Sequence, residues 1–275
     1  MIGALLGLFA AFLIGLSDLF GRRITPLSSA VTTALTLQLF AAISVILGLL
    51  LWPGEFQGSA LLLGASSGVG FAAGLCCYYL GLTRSSSALV APIAAVLSVL
   101  IPFAWALARR FDVSALAVIG VLVAILGLTL VTRKPQAHES NRSGLKWGVF
   151  SGLGYGFGQA FLLDIESVAG PIAIASQRVI AYLVMVPVAF AAGSQTFPPR
   201  GTRVNGIWAG VFAGGASVAL FQGLRYDPLA AVTAVAIFPI FTICVGRVFY
   251  GDSVTRGQAV GILFAILGTI AVIAG

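Results

Sequence analysis

One stretch of this chain occurs twice, and that repeat restricts the fold more than any other feature. Residues 79–127 read YLGLTRSSSALVAPIAAVLSVLIPFAWALARRFDVSALAVIGVLVAILG, and residues 221–268 read FQGLRYDPLAAVTAVAIFPIFTICVGRVFYGDSVTRGQAVGILFAILG. Gly81-Leu82 aligns with Gly223-Leu224, Asp112 with Asp252, Gly120 with Gly261, and Ile125-Leu126-Gly127 with Ile266-Leu267-Gly268. Each copy is a long apolar run interrupted by proline: Pro92 and Pro102 in the first, Pro239 in the second. Proline removes a backbone donor and kinks a helix. At membrane depth the freed carbonyls are tolerated only against protein or a water-filled cavity. A duplicated pair of interrupted apolar segments therefore points to two half-gates around a central site.

The beginning of the chain repeats too. Gly3, Gly7 and Phe9 align with Gly144, Gly148 and Phe150, Gly15 with Gly156, Asp18 with Gln159, and Gly64 and Gly68 with Gly206 and Gly210. The expected division is a five-span repeat over 1–132, a polar linker over 133–143 (RKPQAHESNRS) and a second five-span repeat over 144–275. At about 20 residues per span, the spans fall near Ile2–Gly21, Ala30–Trp52, Ser59–Leu80, Ser87–Leu107 and Ser114–Val131. Their counterparts fall near Leu145–Leu163, Pro171–Ala192, Gly206–Leu224, Leu229–Phe249 and Gln258–Ala274. Continuous apolar runs argue against a membrane barrel, whose strands alternate over about 10 residues. The fold class expected is an all-α membrane protein of ten transmembrane helices. Five spans per repeat is an odd number, so the two repeats must be inverted in the membrane.

Composition agrees. Only 8% of residues are charged and the mean hydropathy is +1.08, against roughly 25% charged residues in a soluble domain. No basic segment precedes the first apolar run, so no cleavable leader is expected. The net charge of +7 does not imply nucleic acid, because the basic residues sit in short loops between apolar runs. Arg22, Arg23, Arg84, Arg133, Lys134, Arg142, Lys146, Arg200, Arg203, Arg247 and Arg256 fall at one face; Arg109, Arg110, Arg178 and Arg225 fall at the other. The positive-inside rule makes the first face cytoplasmic and puts both termini on the opposite side. Cys76, Cys77 and Cys244 are expected as small buried side chains without a disulfide. Small-xxx-small glycine pairs such as Gly64/Gly68, Gly206/Gly210 and Gly257/Gly261 suit close helix packing in lipid.

Catalysis is not expected. The one histidine, His138, lies in the linker, and no metal-ligand cluster, H-E-x-x-H motif or phosphate-binding GxxxxGK loop is present. No cofactor or metal is called for. Polar groups inside the spans cost free energy in lipid and mark pathways. The candidate substrate-binding residues are Asp18, Gln38, Tyr78, Tyr79, Tyr155, Gln159, Gln177 and Phe238, with Pro92, Pro102 and Pro239 as hinges. Asp18 either faces a cavity or pairs with Arg22 one turn on. Tyr78 and Tyr79 point about 100° apart, so one of them faces a cavity well. Arg178 is expected to snorkel to the outer interface or to pair with Glu166, and Arg247 to anchor at the cytoplasmic end.

Together these features resemble paired EamA-type domains of the drug/metabolite transporter superfamily. The likeness rests on Gly15 followed by polar residues, Pro171 with Gln177-Arg178, Tyr79-x-Gly81-Leu82, and Asp112 and Asp252 before a glycine-rich last span closing on Ile-Leu-Gly. Two positions depart from it: Leu39 stands where the second repeat has Arg178, and Ile14 replaces the usual Trp before glycine. The resemblance implies a monomeric secondary exporter in a bacterial inner membrane, most like the aromatic amino-acid exporters. It would move an amino acid or similar small metabolite by alternating access. A multidrug or cationic-compound exporter and a passive channel are the alternatives.

Overall fold

The computed structural model describes residues 1–51, 55–84, 87–109, 113–132, 141–166, 169, 171–251 and 255–274. The described residues form eleven helices. The first half holds α1 (Ile2–Ile24), α2 (Ala30–Leu51), α3 (Gly58–Arg84), α4 (Ser87–Ala108) and α5 (Ala115–Thr132). The second holds α6 (Asn141–Leu163), α7 (Ile172–Ala191), α8 (Arg203–Tyr226), α9 (Pro228–Val235), α10 (Phe238–Tyr250) and α11 (Arg256–Ala274). Taken with the turn between α9 and α10, these are the ten expected spans. Asn141 to Ser143, assigned to the linker from sequence, already belong to α6, and α3 runs on to Arg84. Residues 133–140, Asp112 and Asp252 lie outside the described residues.

The expected interruption is realised in one copy only. Helix α4 continues unbroken across Pro92 and Pro102, whereas the ninth span breaks at Ala236-Ile237. Pro239 has no N–H to give the carbonyl of Val235, the last residue of α9, so the helix ends there and restarts as α10. The start of α9 is fixed by Asp227, whose Oδ1 accepts from the Ala230 N–H at 3.1 Å, and by Pro228 at the first helical position.

The two halves interlock. The main packing partners are α5 with α11, α3 with α6, α1 with α8 and α4 with α6, while α1–α2 and α2–α3 barely touch. Exchanging the halves turns α1–α8 into α6–α3, α2–α8 into α7–α3 and α1–α9/α10 into α6–α4. Glycine contacts give the direction. On the α5–α11 seam Gly120 lies against Gly268 and Gly127 against Gly261, an antiparallel register in which each contact is the other's copy. The same two positions are bonded in both halves with the donor exchanged: Ser17 Oγ donates to the Ala209 carbonyl at 2.8 Å, and Ser67 Oγ, the counterpart of Ala209, to the Gly158 carbonyl at 2.5 Å. Equivalent helices running antiparallel within one bundle are what inverted repeats require.

Among the described residues, six helical segments are long and apolar enough to cross a bilayer, Ile2–Leu27, Ala30–Leu49, Gly58–Tyr78, Ile172–Ala191, Arg200–Tyr226 and Pro228–Phe249, with shorter apolar helices at Ile93–Ala108, Ala115–Leu130 and Arg256–Val272. Helix α6 is less apolar and packs between α3 and α4. Large side chains such as Leu47, Leu62, Leu122, Leu183, Phe190 and Leu263 remain exposed along the spans, the surface that lipid covers in an all-α multi-pass protein. None of the three cysteines is fully buried as expected: Cys244 is exposed with this surface, and Cys76 and Cys77 are half-buried.

Candidate functional site

The expectation for Arg178 fails in an informative way. Instead of reaching the outer interface, its side chain turns inward from α7 and is only 7% exposed. Nε donates to Ser217 Oγ at 2.9 Å, Nη1 to Gln38 Oε1 at 2.8 Å, and Nη2 to the Ala213 carbonyl at 3.2 Å and again to Ser217 Oγ. The Phe71 ring covers the guanidinium with its centroid 5.7 Å from Cζ. Tyr155 packs edge-on against Phe71 at 5.7 Å and lies within electrostatic range of the guanidinium. All the hydrogen-bond partners are neutral. Glu166, the expected partner, is exposed and accepts from Gln57, while Asp164 pairs with Arg109 at 2.7 Å. A buried charge without a counter-ion costs several kcal/mol even after relaxation.

Arg178 has no basic counterpart in the first repeat, because α2 carries no Lys or Arg, so the cation breaks the pseudo-symmetry.

Beside Arg178, Gln177 is 1% exposed and its Nε2 donates to Ser67 Oγ at 2.7 Å. The Oε1 atoms of Gln177 and Gln159 are both buried without a hydrogen-bond partner. Gln159 follows Gly158, the residue whose carbonyl accepts from Ser67. Two unused acceptors thus stand near the buried cation's helix, a pairing suited to a ligand with N–H donors.

Asp18 forms a second centre. Its Oδ2 accepts from Thr242 Oγ1 at 2.7 Å, and Thr242 also donates to the Phe238 carbonyl at 3.3 Å, in the first turn of α10 after the break. The close approach requires glycine: a Cβ at Gly15 would fall 2.8 Å from Phe241 Cβ. The Tyr78 phenol lies within electrostatic range of Asp18. The side chains of Tyr79, Pro92 and Pro239 lie outside the described residues, though their backbones are helical. Pro102 is buried in α4.

The structure therefore groups the expected residues in two sets, Asp18, Tyr78 and Phe238 in one, and Gln38, Tyr155, Gln159 and Gln177 around α7 in the other. Sequence reasoning did not single out Thr242, Ser217, Ser67 and Phe71. Hydroxyls in apolar helices back-bond commonly, so they carry no signal until a partner helix is known. The sets differ in depth. Asp18 follows Ser17, which bonds to Ala209, while Arg178 bonds to Ala213 and Ser217, one to two turns along α8. At about 1.5 Å per residue, carboxylate and guanidinium lie at depths roughly 10 Å apart.

An interlocked bundle with a broken ninth span, a buried arginine held by neutral partners, and a half-buried Asp18 within electrostatic range of Arg22 is the arrangement to set beside known proteins. Residues 142–274 match the EamA-like transporter family. The match takes in the second repeat, including Arg178, Ser217, Phe238 and Thr242. A solved structure titled only as a crystal structure of a protein superposes with a TM-score of 0.79, covering 99% of this chain and 97% of that one at 14% identity. That likeness establishes the shared fold. No curated protein matches the sequence.

Proposed function

We propose that this EamA-like protein is a secondary transporter exporting aromatic or other neutral amino acids, or similarly small metabolites, across a bacterial inner membrane by alternating access. Both termini face away from the cytoplasm in this reading. Asp18, Gln38, Tyr78, Tyr79, Tyr155, Gln159, Gln177 and Phe238 contribute to the transport site, and Pro92, Pro102 and Pro239 act as gate hinges. The observation that carries the reading is the buried Arg178 guanidinium, with the Phe71–Tyr155 pair on it and the unpartnered Gln177 and Gln159 oxygens near its helix. A zwitterion with an aromatic side chain complements that set: ring against ring, ammonium to acceptors, carboxylate to cation.

The broken ninth span supports a moving part at the Asp18 centre, since discontinuous helices flank transporter sites. Purified protein in liposomes preloaded with unlabelled amino acids is expected to take up labelled L-phenylalanine by counterflow. Absence of flux for every labelled amino acid of a panel would remove the substrate class. Flux without counterflow would mark a passive channel.

Asp18 also motivates a second reading, a multidrug or cationic-compound exporter of the same fold. Arg178 weighs against it, because a buried positive charge repels a cationic substrate.

A further inference from the structure

We infer that Arg178 is the anion-recognising residue of the transport site and that it takes the carboxylate of the substrate. The inference deepens the amino-acid reading above and rests on it. Arg178 is held by α2, α7 and α8 at once, through Gln38, its own backbone and Ser217 with Ala213. A guanidinium has five N–H donors. The hydrogen bonds to Ser217, Gln38 and Ala213 leave one N–H on Nη1 unengaged. The fork is fixed while its charge is left unanswered.

The acidic residues of the described chain are all committed elsewhere or exposed. Asp164 bonds to Arg109 and Trp105, Glu166 to Gln57, Asp227 to the start of α9 and Asp18 to Thr242, and Glu55 is exposed. A structural clasp joining three helices needs no charge; a neutral amide such as glutamine supplies N–H donors to the same kind of acceptor. A cation oriented by neutral groups and backed by an aromatic face is prepared to receive an anion that arrives and leaves. The neighbouring groups define which anion. Phe71 and Tyr155 present apolar rings beside the guanidinium, and the unpartnered Gln177 and Gln159 oxygens accept N–H donors nearby. A carboxylate carried next to an amine and an aromatic side chain fits all three.

The test uses three probes of matched shape, L-phenylalanine, 3-phenylpropanoate (no ammonium) and phenylethylamine (no carboxylate), titrated calorimetrically into detergent-purified wild-type protein, Arg178→Gln and Arg178→Lys. Wild type is expected to bind L-phenylalanine and 3-phenylpropanoate more tightly than phenylethylamine. Arg178→Gln is expected to lose about 10- to 100-fold for the two carboxylates, the factor supplied by one charge-assisted hydrogen bond, with phenylethylamine unchanged. Arg178→Lys should recover part of the loss. A structural clasp alone would weaken all three probes together, which overturns the inference. If Arg178→Gln does not fold, the wild-type order of the probes decides: phenylethylamine bound as tightly as L-phenylalanine overturns it. Binding of phenylethylamine alone overturns it in favour of a cationic substrate. Binding of none of the three removes the amino-acid reading and the carboxylate assignment together.

Discussion

The α5–α11 seam offers the sharpest test of the interlocked architecture. A Cβ built on Gly127 falls 2.6 Å from the Gly261 carbonyl oxygen and 2.8 Å from Ala265 Cα. Both are backbone atoms and cannot rotate away. Ordinary contact begins near 3.4 Å and the Ala265 backbone nitrogen lies closer still, so Gly127→Ala obliges the helices to part by about 1 Å along a seam where Gly120 and Gly268 also meet. Overpacking of this kind costs about 1–3 kcal/mol, and the better helix propensity of alanine returns up to about 1 kcal/mol. The expected net effect is a loss of about 1–2 kcal/mol. Gly48 supplies the control, because nothing lies within 4 Å of its would-be Cβ; Gly48→Ala should be neutral or stabilising by up to about 1 kcal/mol.

The pseudo-symmetry adds a stricter condition. Gly268 is the repeat equivalent of Gly127 and meets Ala124 and Gly120 in the corresponding way. Gly268→Ala should therefore cost the same within about 0.5 kcal/mol, and the double variant should cost less than the sum, because parting the helices at one contact relieves the other on the same seam. Denaturant or thermal unfolding in detergent micelles, followed by circular dichroism, measures all four. Equal behaviour of Gly127→Ala and Gly48→Ala would refute the packed antiparallel seam.

Three further outcomes are expected. Asp18→Asn should weaken counterflow of L-phenylalanine without abolishing it; unchanged kcat/KM would take Asp18 out of the transport site, and wild-type counterflow of a cationic probe that Asp18→Asn abolishes would favour the cationic-compound reading. Pro239→Ala restores a donor to the Val235 carbonyl and should lower kcat with KM little changed, more than Pro102→Ala, because α4 is continuous across its proline. Arg109→Ala breaks an ion pair whose arginine is 57% exposed, so unfolding stability should fall by less than about 1 kcal/mol. A loss above about 2 kcal/mol would mean the C-terminal ends of α4 and α6 are held together mainly by that pair.

Much of this protein was legible one segment at a time. Apolar run length fixed the ten spans, since a helix that satisfies its own backbone is the one economical way to cross lipid with such residues. Repeated glycines fixed the two halves, and an odd span count fixed their inversion. Local chemistry around Pro239 sufficed to expect a break. The same chemistry did not decide Pro92 and Pro102, because whether a proline breaks a helix or rides within it depends on what packs around it.

The interior of the site required the tertiary structure. In the sequence Arg178 is an arginine near the start of a span, where snorkelling is the ordinary outcome. Its inward course depends on Gln38, 140 residues earlier, and Ser217, 39 residues later, which the interlocking of the halves brings to one point. Asp18 depends in the same way on Thr242, 224 residues away. Periodicity and hydropathy report how each helix meets its surroundings on average. Which polar side chains share a depth is set by helix register between halves, and that register is a sum of glycine contacts no single segment contains.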